Sequence, residues 1–262
     1  RCEDPEIEMT KDEVQTLLHL HLSHQSFSDQ QRREIENDAT YIFANKEPRD
    51  KLNSLKLRLA NLKGNPVTII KAKTRKQSRP IANNSHFDLD RHPNRLLICK
   101  EAQVSLNGCN PDPKHGLYHG ALGSVRDIIY HIGESPERGD FPAYVLVEFY
   151  QYCGKDHIPN MPKYIPVAPI TVRCNFGCCE KTYMPLSLAY GKTAHTFQGQ
   201  NVGPVAPRRP KNPIQRIIVD PGTRKFEATN VGLFYQLLSR ATTIGDQGDK
   251  LSSAIYFDGP NF

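Results

Sequence analysis

The chain has 262 residues, which permits one large domain or two small ones and is sufficient for a hydrophobic core. It carries 34 Lys and Arg against 28 Asp and Glu, and the formal net charge of +6 favours polyanionic partners such as nucleic acid. No run approaches the roughly eighteen apolar residues that a membrane span requires, so we expect no association with a membrane. Seven cysteines, an odd number without framework spacing, indicate a reducing intracellular compartment, which is nuclear, cytoplasmic or organellar.

Two capping boxes predict helices at the start of the chain. Thr10 with Glu13, and Ser28 with Gln31, have the spacing at which a side-chain oxygen caps the helix and the third residue caps it in return. Apolar residues follow the first box at helical spacing. We therefore expect residues 1–37 to form a helical connector.

The next segment predicts a strand followed by a helix. Residues 39–44 form an apolar run, Pro48 suits the first turn of a helix, and Gly64 lies just beyond its end. One face of this helix is expected to be buried and to carry the apolar residues Leu52, Leu55, Leu59 and Leu62. A strand, a tight loop and a helix are the building unit of an α/β layer.

The middle of the chain has β character, and the last third returns to α/β. Three strand-like stretches follow residue 96, with glycines where a small closed sheet needs sharp bends, at Gly116, Gly120 and Gly123. We therefore expect a small β-barrel at residues 109–182. It interrupts an α/β domain whose two parts are residues 38–108 and 183–262.

A strand-turn-helix segment at Pro185–Gln200 carries the first candidate site. Its Thr193 and His195 can place a hydroxyl and an imidazole against a phosphate, at a helix start that offers free backbone N–H groups. The alternative interpretation is an ordinary strand-turn-helix with a histidine near the surface.

These segments resemble, in order and spacing, conserved motifs of the Pif/RecD-like superfamily-one DNA helicases. Ala39–Asn53 is similar to the fourth motif of that family, Pro185–Gln200 to the fifth and Tyr235–Thr243 to the sixth. The resemblance covers about Ala39–Phe257. It implies an α/β fold, namely the RecA-like second motor domain of a P-loop helicase with an inserted small SH3-like β-barrel.

The resemblance also implies roles for individual residues. Arg240 stands where the family has an arginine finger that reaches the γ-phosphate of ATP, and a surface arginine paired with Asp246 is the alternative. The residues expected to face the nucleotide are Gln198, Gly199 and Gln236. Those expected to hold single-stranded DNA are Thr193, His195 and Asn53. By resemblance, the motor moves 5′ to 3′, and the family implies work in DNA repair and recombination.

The chain departs from the family pattern at several positions and lacks two of the family's motifs. Thr196 and Phe197 stand where the family usually has Lys-Ser, and a Pro- and Arg-rich loop at residues 204–213 lengthens the link between the fifth and sixth motifs. The sequence contains neither a Gly-x-x-x-x-Gly-Lys-Ser/Thr phosphate loop nor an acidic box suited to Mg²⁺. Because the chain begins at Arg1, we expect a fragment, with ATP and Mg²⁺ bound mainly by an upstream P-loop lobe that this chain lacks. The alternative is a non-enzymatic nucleic-acid-binding module.

Three further features of the sequence allow more than one interpretation. The basic run at residues 71–79, with Lys71, Lys73 and Arg75, could contact the DNA backbone, act as a nuclear-import signal or form a solvated loop. The cysteines at 174, 178 and 179 lack the paired Cys-x-x-Cys spacing of a zinc site. The histidines at 19, 21 and 24 are spaced so that at most two share a helix face. We therefore expect no metal site.

Overall fold

The computed structural model describes residues 10–23, 27–76, 89, 92–174, 179–197, 200, 202–203, 214–244 and 250–258. The chain divides into two compact units. The first unit consists of residues 1–53 and 190–262, and the second of residues 54–189.

The described elements alternate between the two structural types along the chain. The α-helices are α1 (Lys11–His19), α2 (Asp29–Asp38), α3 (Lys46–Leu62), α4 (Ala194–Phe197), α5 (Arg224–Thr229) and α6 (Leu233–Leu238). Short 3-10 helices lie at Pro113–His115, Pro136–Arg138 and Lys250–Ser252. The strands are β1 (Ala39–Phe43), β2 (Thr68–Lys71), β3 (Lys73–Lys76), β4 (Arg95–Ile98), β5 (Gln103–Leu106), β6 (Leu122–Ile129), β7 (Tyr144–Phe149), β8 (Tyr164–Val167), β9 (Ile170–Arg173), β10 (Cys179–Tyr183), β11 (Leu186–Leu188), β12 (Gly191–Thr193), β13 (Arg216–Asp220) and β14 (Ile255–Phe257).

The first unit is built on a parallel sheet with the strand order β12-β1-β13-β14. Parallel strands that are covered on both faces read as continuous apolar runs. The strands here fit that rule, and their fully buried residues include Ile42, Ile217, Ile218, Val219, Ile255, Tyr256 and Phe257. Helix α2 begins with the predicted capping box, in which Ser28 and Gln31 each bind the backbone of the other. Its Ile35 packs in a cluster with Ile218 and Tyr256.

The second unit contains antiparallel sheets. One has five strands in the order β11-β5-β6-β7-β8, a second has the order β3-β10-β9, and β2 pairs with β4. Because β5 pairs with both β6 and β11, residues 103–106 belong to this unit. The two compact units meet at residues 53/54 and 189/190, whereas the sequence predicts boundaries at 108/109 and 182/183.

Helix α3 does not bury the face that its leucine spacing predicts. Leu55, Leu59 and Leu62 are 52%, 44% and 82% exposed, whereas Asn53 and Leu57 are buried. Residues four positions apart lie on one helix face, and residues two positions apart point away from each other. A helix that turns Asn53 and Leu57 inward must therefore turn Leu55 and Leu59 outward, and the predicted buried stripe was wrong for this reason.

In the described part of the chain, no helix is long and apolar enough to cross a membrane.

Candidate nucleic-acid interface

Three parallel strands of the first unit end at the same level. Phe43, the last residue of β1, lies opposite Thr193 at the end of β12 and opposite Asp220 at the end of β13. The segments that follow these strands therefore leave the sheet at the same end. Open α/β sheets bind their ligands beyond the carboxyl ends of the strands, so this end of the sheet is the candidate site of the first unit.

The two residues of the Thr-x-His segment that are predicted to contact DNA differ in their exposure to solvent. Thr193 is buried, and its hydroxyl lies 3.2 Å from the hydroxyl of Thr196. The Thr196 hydroxyl in turn donates to the Thr193 carbonyl at 2.9 Å. His195 is exposed, and its ring meets the ring of Phe226 edge-on at 6.4 Å between centroids. His195 is thus available to a phosphate, while the Thr193 hydroxyl stabilises the turn.

Thr196 and Phe226 have roles that the sequence did not reveal. Thr196 was noted only as a departure from the family pattern, yet it is exposed and holds the turn after β12. Phe226 lies on α5, thirty-one positions from His195, and the two rings meet only in the folded chain. The threonine at three positions from Thr193 is a local signal that could have been found, because Ser and Thr side chains bind nearby backbone carbonyls.

Two residues beyond the segment predicted as the fifth motif, the chain meets the segment predicted as the sixth motif within the first unit. The N–H of Val202 donates to the carbonyl of Arg240 at 2.9 Å, and the N–H of Thr242 donates back to the Val202 carbonyl at 2.9 Å. These bonds form a parallel bridge between Val202 and Ala241. The backbone on either side of Arg240 is therefore anchored to the chain just beyond His195.

Arg240 follows α6 and is half-buried. In the part of the chain that the structure describes, its guanidinium forms no ion pair, and Asp246, the alternative partner, lies outside that part. Gln236 is exposed on α6, where its carbonyl accepts a hydrogen bond from the Ser239 hydroxyl at 2.8 Å. Gln198 and Gly199 lie outside the described residues.

Asn53 lies inside the first unit. It is 6% exposed, its side-chain N–H donates to the Gly191 carbonyl at 3.2 Å, and its side-chain oxygen accepts from the Gly191 N–H at 3.0 Å. A buried amide with both functions bonded to backbone does not face a ligand. Its placement argues for a positioning role in place of the predicted contact with DNA.

Lys71, Lys73 and Arg75 belong to the second unit, where all three side chains are exposed. The Lys73 ammonium lies 5.1 Å from the centroid of the Phe141 ring, a cation–π contact. Strand β3 pairs with β10 so that Arg75 lies opposite Glu180.

An additional arginine joins these cations through the strand register. Arg173 lies opposite Glu180 on the other side, and its Nε donates to Glu180 Oε1 at 2.8 Å. Directly opposite residues share a face of the sheet, so Arg75 and Arg173 flank one carboxylate on one face. We call the exposed residues Lys73, Arg75 and Arg173 the basic face. The sequence reasoning missed Arg173, because only the pairing of β9 with β10 brings it there.

Lys192 is a buried lysine whose pKa is lowered by its surroundings in the first unit. It lies on β12 between Gly191 and Thr193, it is 5% exposed, and burial lowers its pKa from the ordinary value of 10.5 to about 8. A buried ammonium is disfavoured because it loses its hydration.

Stability is therefore expected to depend on pH through Lys192. Between about pH 8 and 10.5 the unfolded chain binds the proton that the folded chain has released, so stability rises with pH in this window. Below about pH 8, Lys192 is charged in the folded chain, and its burial lowers the free energy of unfolding by an amount on the order of 3 kcal/mol. The Lys192→Met variant is expected to lack this contribution. Urea unfolding of both proteins at several pH values measures it, and parallel curves from pH 7.5 to 10 would contradict the assignment.

Several histidines and cysteines were considered above as metal ligands. In the described ranges, no group of three or more His, Cys, Asp or Glu residues is placed to hold a metal ion. His24 and Cys178, two of the residues considered above, lie outside those ranges. Cys174 and Cys179 are buried and pack with Leu89.

No protein-family model matches the chain, and no curated protein sequence matches it. Solved structures do match. The chain is similar to a Pif1 helicase from Candida albicans, with 19% identity and a TM-score of 0.61 over 97% of this chain and 51% of that one. It is also similar to a Bacteroides Pif1 helicase in complex with ADP-AlF3 and single-stranded DNA, with 18% identity and a TM-score of 0.55 over 95% and 45%. A structure of two coordinating Pif1 helicases that unwind forked duplex DNA matches with 19% identity and a TM-score of 0.54 over 95% and 43%.

The chain therefore has a mixed α/β fold with a parallel sheet that resembles part of a Pif1 helicase. It spans about half the length of the helicases that it matches. The predicted likeness to Pif/RecD-like helicases is confirmed at the level of the fold.

Proposed function

We propose that this chain is the C-terminal motor lobe of an ATP-dependent DNA helicase that moves 5′ to 3′ on single-stranded DNA. One observation carries the proposal. The segment after β12, with exposed His195, is hydrogen-bonded through Val202 to the segment that presents Arg240. A histidine predicted to contact phosphate and an arginine are thereby connected in one unit, in a chain whose fold matches half of a Pif1 helicase.

In this proposal, ATP and Mg²⁺ are held mainly by an upstream P-loop lobe of the same protein. Arg240 supplies the positive charge that stabilises phosphoryl transfer, since a guanidinium is always charged and matches phosphate oxygens in geometry. The half-buried position of Arg240, without an ion pair among the described residues, fits that role. Gln198, Gly199 and Gln236 complete the nucleotide contacts on this side.

DNA is bound by elements of each unit. In the first unit His195 contacts a phosphate, with Thr193 and Thr196 holding the turn. In the second unit we assign the backbone contacts to Lys71 and to the basic face. We place the SH3-like barrel at residues 109–182. The antiparallel pairing of β6 with β7 and of β7 with β8 supports this, as does the register shift between Val125 and Asp127, because bulges bend a sheet towards closure.

The test is unwinding by the full-length protein. Two fork-free duplexes are compared, one with a 5′ single-stranded tail and one with a 3′ tail, together with ATP hydrolysis with and without DNA. We expect ATP-dependent unwinding of the 5′-tailed duplex alone. Tight binding of single strands without ATP hydrolysis would instead identify the non-enzymatic nucleic-acid-binding module.

The basic face is expected to contribute to the salt dependence of DNA binding. Each phosphate contact on a single strand contributes about 0.7 to the slope of log K against log salt. The double variant Lys73→Ala/Arg75→Ala should therefore lower this slope by roughly 1.4. Arg138→Ala is the matched control, because Arg138 is an exposed arginine of the same unit that binds the Gly133 carbonyl. An unchanged slope in the double variant would remove the basic face from the DNA path.

A further inference from the structure

The bond between Asn53 and Gly191 joins a helix to the edge of the parallel sheet. Among the described residues, β12 is the last strand on its side of the sheet, with β1 as its neighbour. Tyr41 of β1 lies opposite Gly191 and donates to the carbonyl of Tyr190 at 3.2 Å. In a parallel ladder, a residue that is bridged in this way turns its own N–H and C=O groups away from the neighbouring strand.

The Asn53 side chain meets those outward groups as a further strand would. A carboxamide carries one acceptor and an N–H donor, the same pair that a backbone peptide offers. Its two bonds to Gly191 thus satisfy both outward groups of the edge residue, at 3.2 Å and 3.0 Å. Buried backbone groups that lose their partners cost free energy, so the two bonds between Asn53 and Gly191 stabilise β12 in its position beside α3.

The space around Gly191 is narrow. A Cβ atom on Gly191 would lie 3.0 Å from the Phe43 ring and 3.3 Å from Leu52 Cδ2. Such distances are tighter than ordinary van der Waals contact, so the side chains of Phe43 and Leu52 would have to shift by a few tenths of an ångström to admit a side chain at residue 191. Gly191 precedes Thr193 by two positions and His195 by four.

We infer that Asn53 is a positioning residue that locks edge strand β12 to α3 and thereby orients the turn carrying His195 towards DNA. The orientation of His195 towards DNA rests on the proposed function, whereas the bonds between Asn53 and Gly191 are a property of the fold. The positioning role acts through Gly191 and requires no contact between Asn53 and DNA.

Hydrogen exchange tests the lock without any ligand. In the full-length protein free of DNA, the Gly191 amide should exchange at least about 10-fold faster in Asn53→Leu than in the wild type, because leucine has a similar size and offers no acceptor. Asn61→Leu is the matched control, since Asn61 is exposed on the same helix. Unchanged exchange at Gly191 in Asn53→Leu overturns the lock.

DNA-stimulated ATP hydrolysis tests its consequence. Asn53→Leu should raise the concentration of single-stranded DNA that gives half-maximal stimulation by about 10-fold or more, with kcat at saturating DNA within about threefold of the wild type. Faster exchange at Gly191 with an unchanged DNA requirement overturns the positioning role. A wild-type protein that does not bind single-stranded DNA overturns the proposed function and this role together, and the exchange data then still show whether the lock exists.

A second variant guards against a simple failure to fold. Asn53→Asp keeps the acceptor and loses the donor when ionised, and protonation restores an O–H donor in the same place. Burial beside the Gly191 carbonyl disfavours the charged form and raises the pKa of the new carboxyl group, so its defect should be present above that pKa and disappear below it. The ratio of variant to wild-type DNA affinity should therefore approach one as the pH falls from 8 to 5. A ratio independent of pH overturns the donor's role.

Discussion

Replacing Arg240 by alanine in the full-length protein is expected to lower kcat for DNA-stimulated ATP hydrolysis by about 10³-fold or more. The reason is charge. Negative charge develops on the transferred phosphoryl group, and a guanidinium that reaches it from the second lobe stabilises the transition state by about 4 kcal/mol or more. The segment that carries Arg240 is held by the backbone bonds to Val202, so the substitution should leave its surroundings intact.

Binding measurements separate this role from a structural one. Single-stranded DNA affinity of Arg240→Ala should stay within about threefold of the wild type, because His195 and the basic face are unchanged. Arg240→Lys keeps the charge and loses the planar fork, and we expect it to recover only part of the activity. Arg138→Ala, which removes an exposed arginine of the second unit, should hydrolyse ATP normally. Wild-type turnover in Arg240→Ala would contradict the arginine-finger assignment.

Replacing Gly116 by alanine is expected to destabilise the second unit by about 3 kcal/mol. Gly116 follows the 3-10 helix Pro113–His115 with φ of 93°, a left-handed conformation that costs an alanine roughly 1 to 2 kcal/mol. A Cβ atom there would lie 2.5 Å from the Gln151 carbonyl oxygen and 3.0 Å from its carbon. This obstacle is backbone, which cannot rotate away, and forced shifts of this kind cost about 1 to 3 kcal/mol more.

Gly133 provides the matched control for the clash. It also has a positive φ, 85°, but a Cβ atom there would meet open space. Gly133→Ala should therefore pay only the conformational cost of about 1 kcal/mol. Urea unfolding of the two variants, followed by near-ultraviolet signals of the tyrosines, measures the difference. Equal destabilisation of the two variants would show that the approach of Gln151 to Gly116 is not rigid.

Local features were predictable from the sequence. The capping box at Ser28 formed because its two partners are three positions apart. The apolar runs at 39–43, 216–220 and 255–257 became strands of a buried parallel sheet. The glycine at 116 was expected at a sharp bend and has the positive φ that a bend requires. The likeness to Pif1 helicases, inferred from short motifs in order, agrees with the fold.

Features that depend on distant partners were not predictable. The leucine stripe of α3 suggested the wrong buried face, because the partner that draws Asn53 inward is Gly191, 138 positions away. Arg173 joined the basic face only through the register of β9 on β10. The pairing of β5 with β11 joins Ser105 to Ser187 across 82 positions, which no local pattern indicates.

By itself, the sequence determined where helix α2 and strand β1 begin, that Gly116 favours a bend, and the presence of a Thr-x-His segment and an arginine in the family's order. Those properties depend on backbone dihedral preferences and on neighbours within about four positions. Only the tertiary structure decided that Thr193 faces inward while His195 is exposed, and that Asn53 serves the protein's own backbone. The physical reason is that a buried polar group must find a partner, and that partner is chosen by packing between strands and helices far apart in the chain.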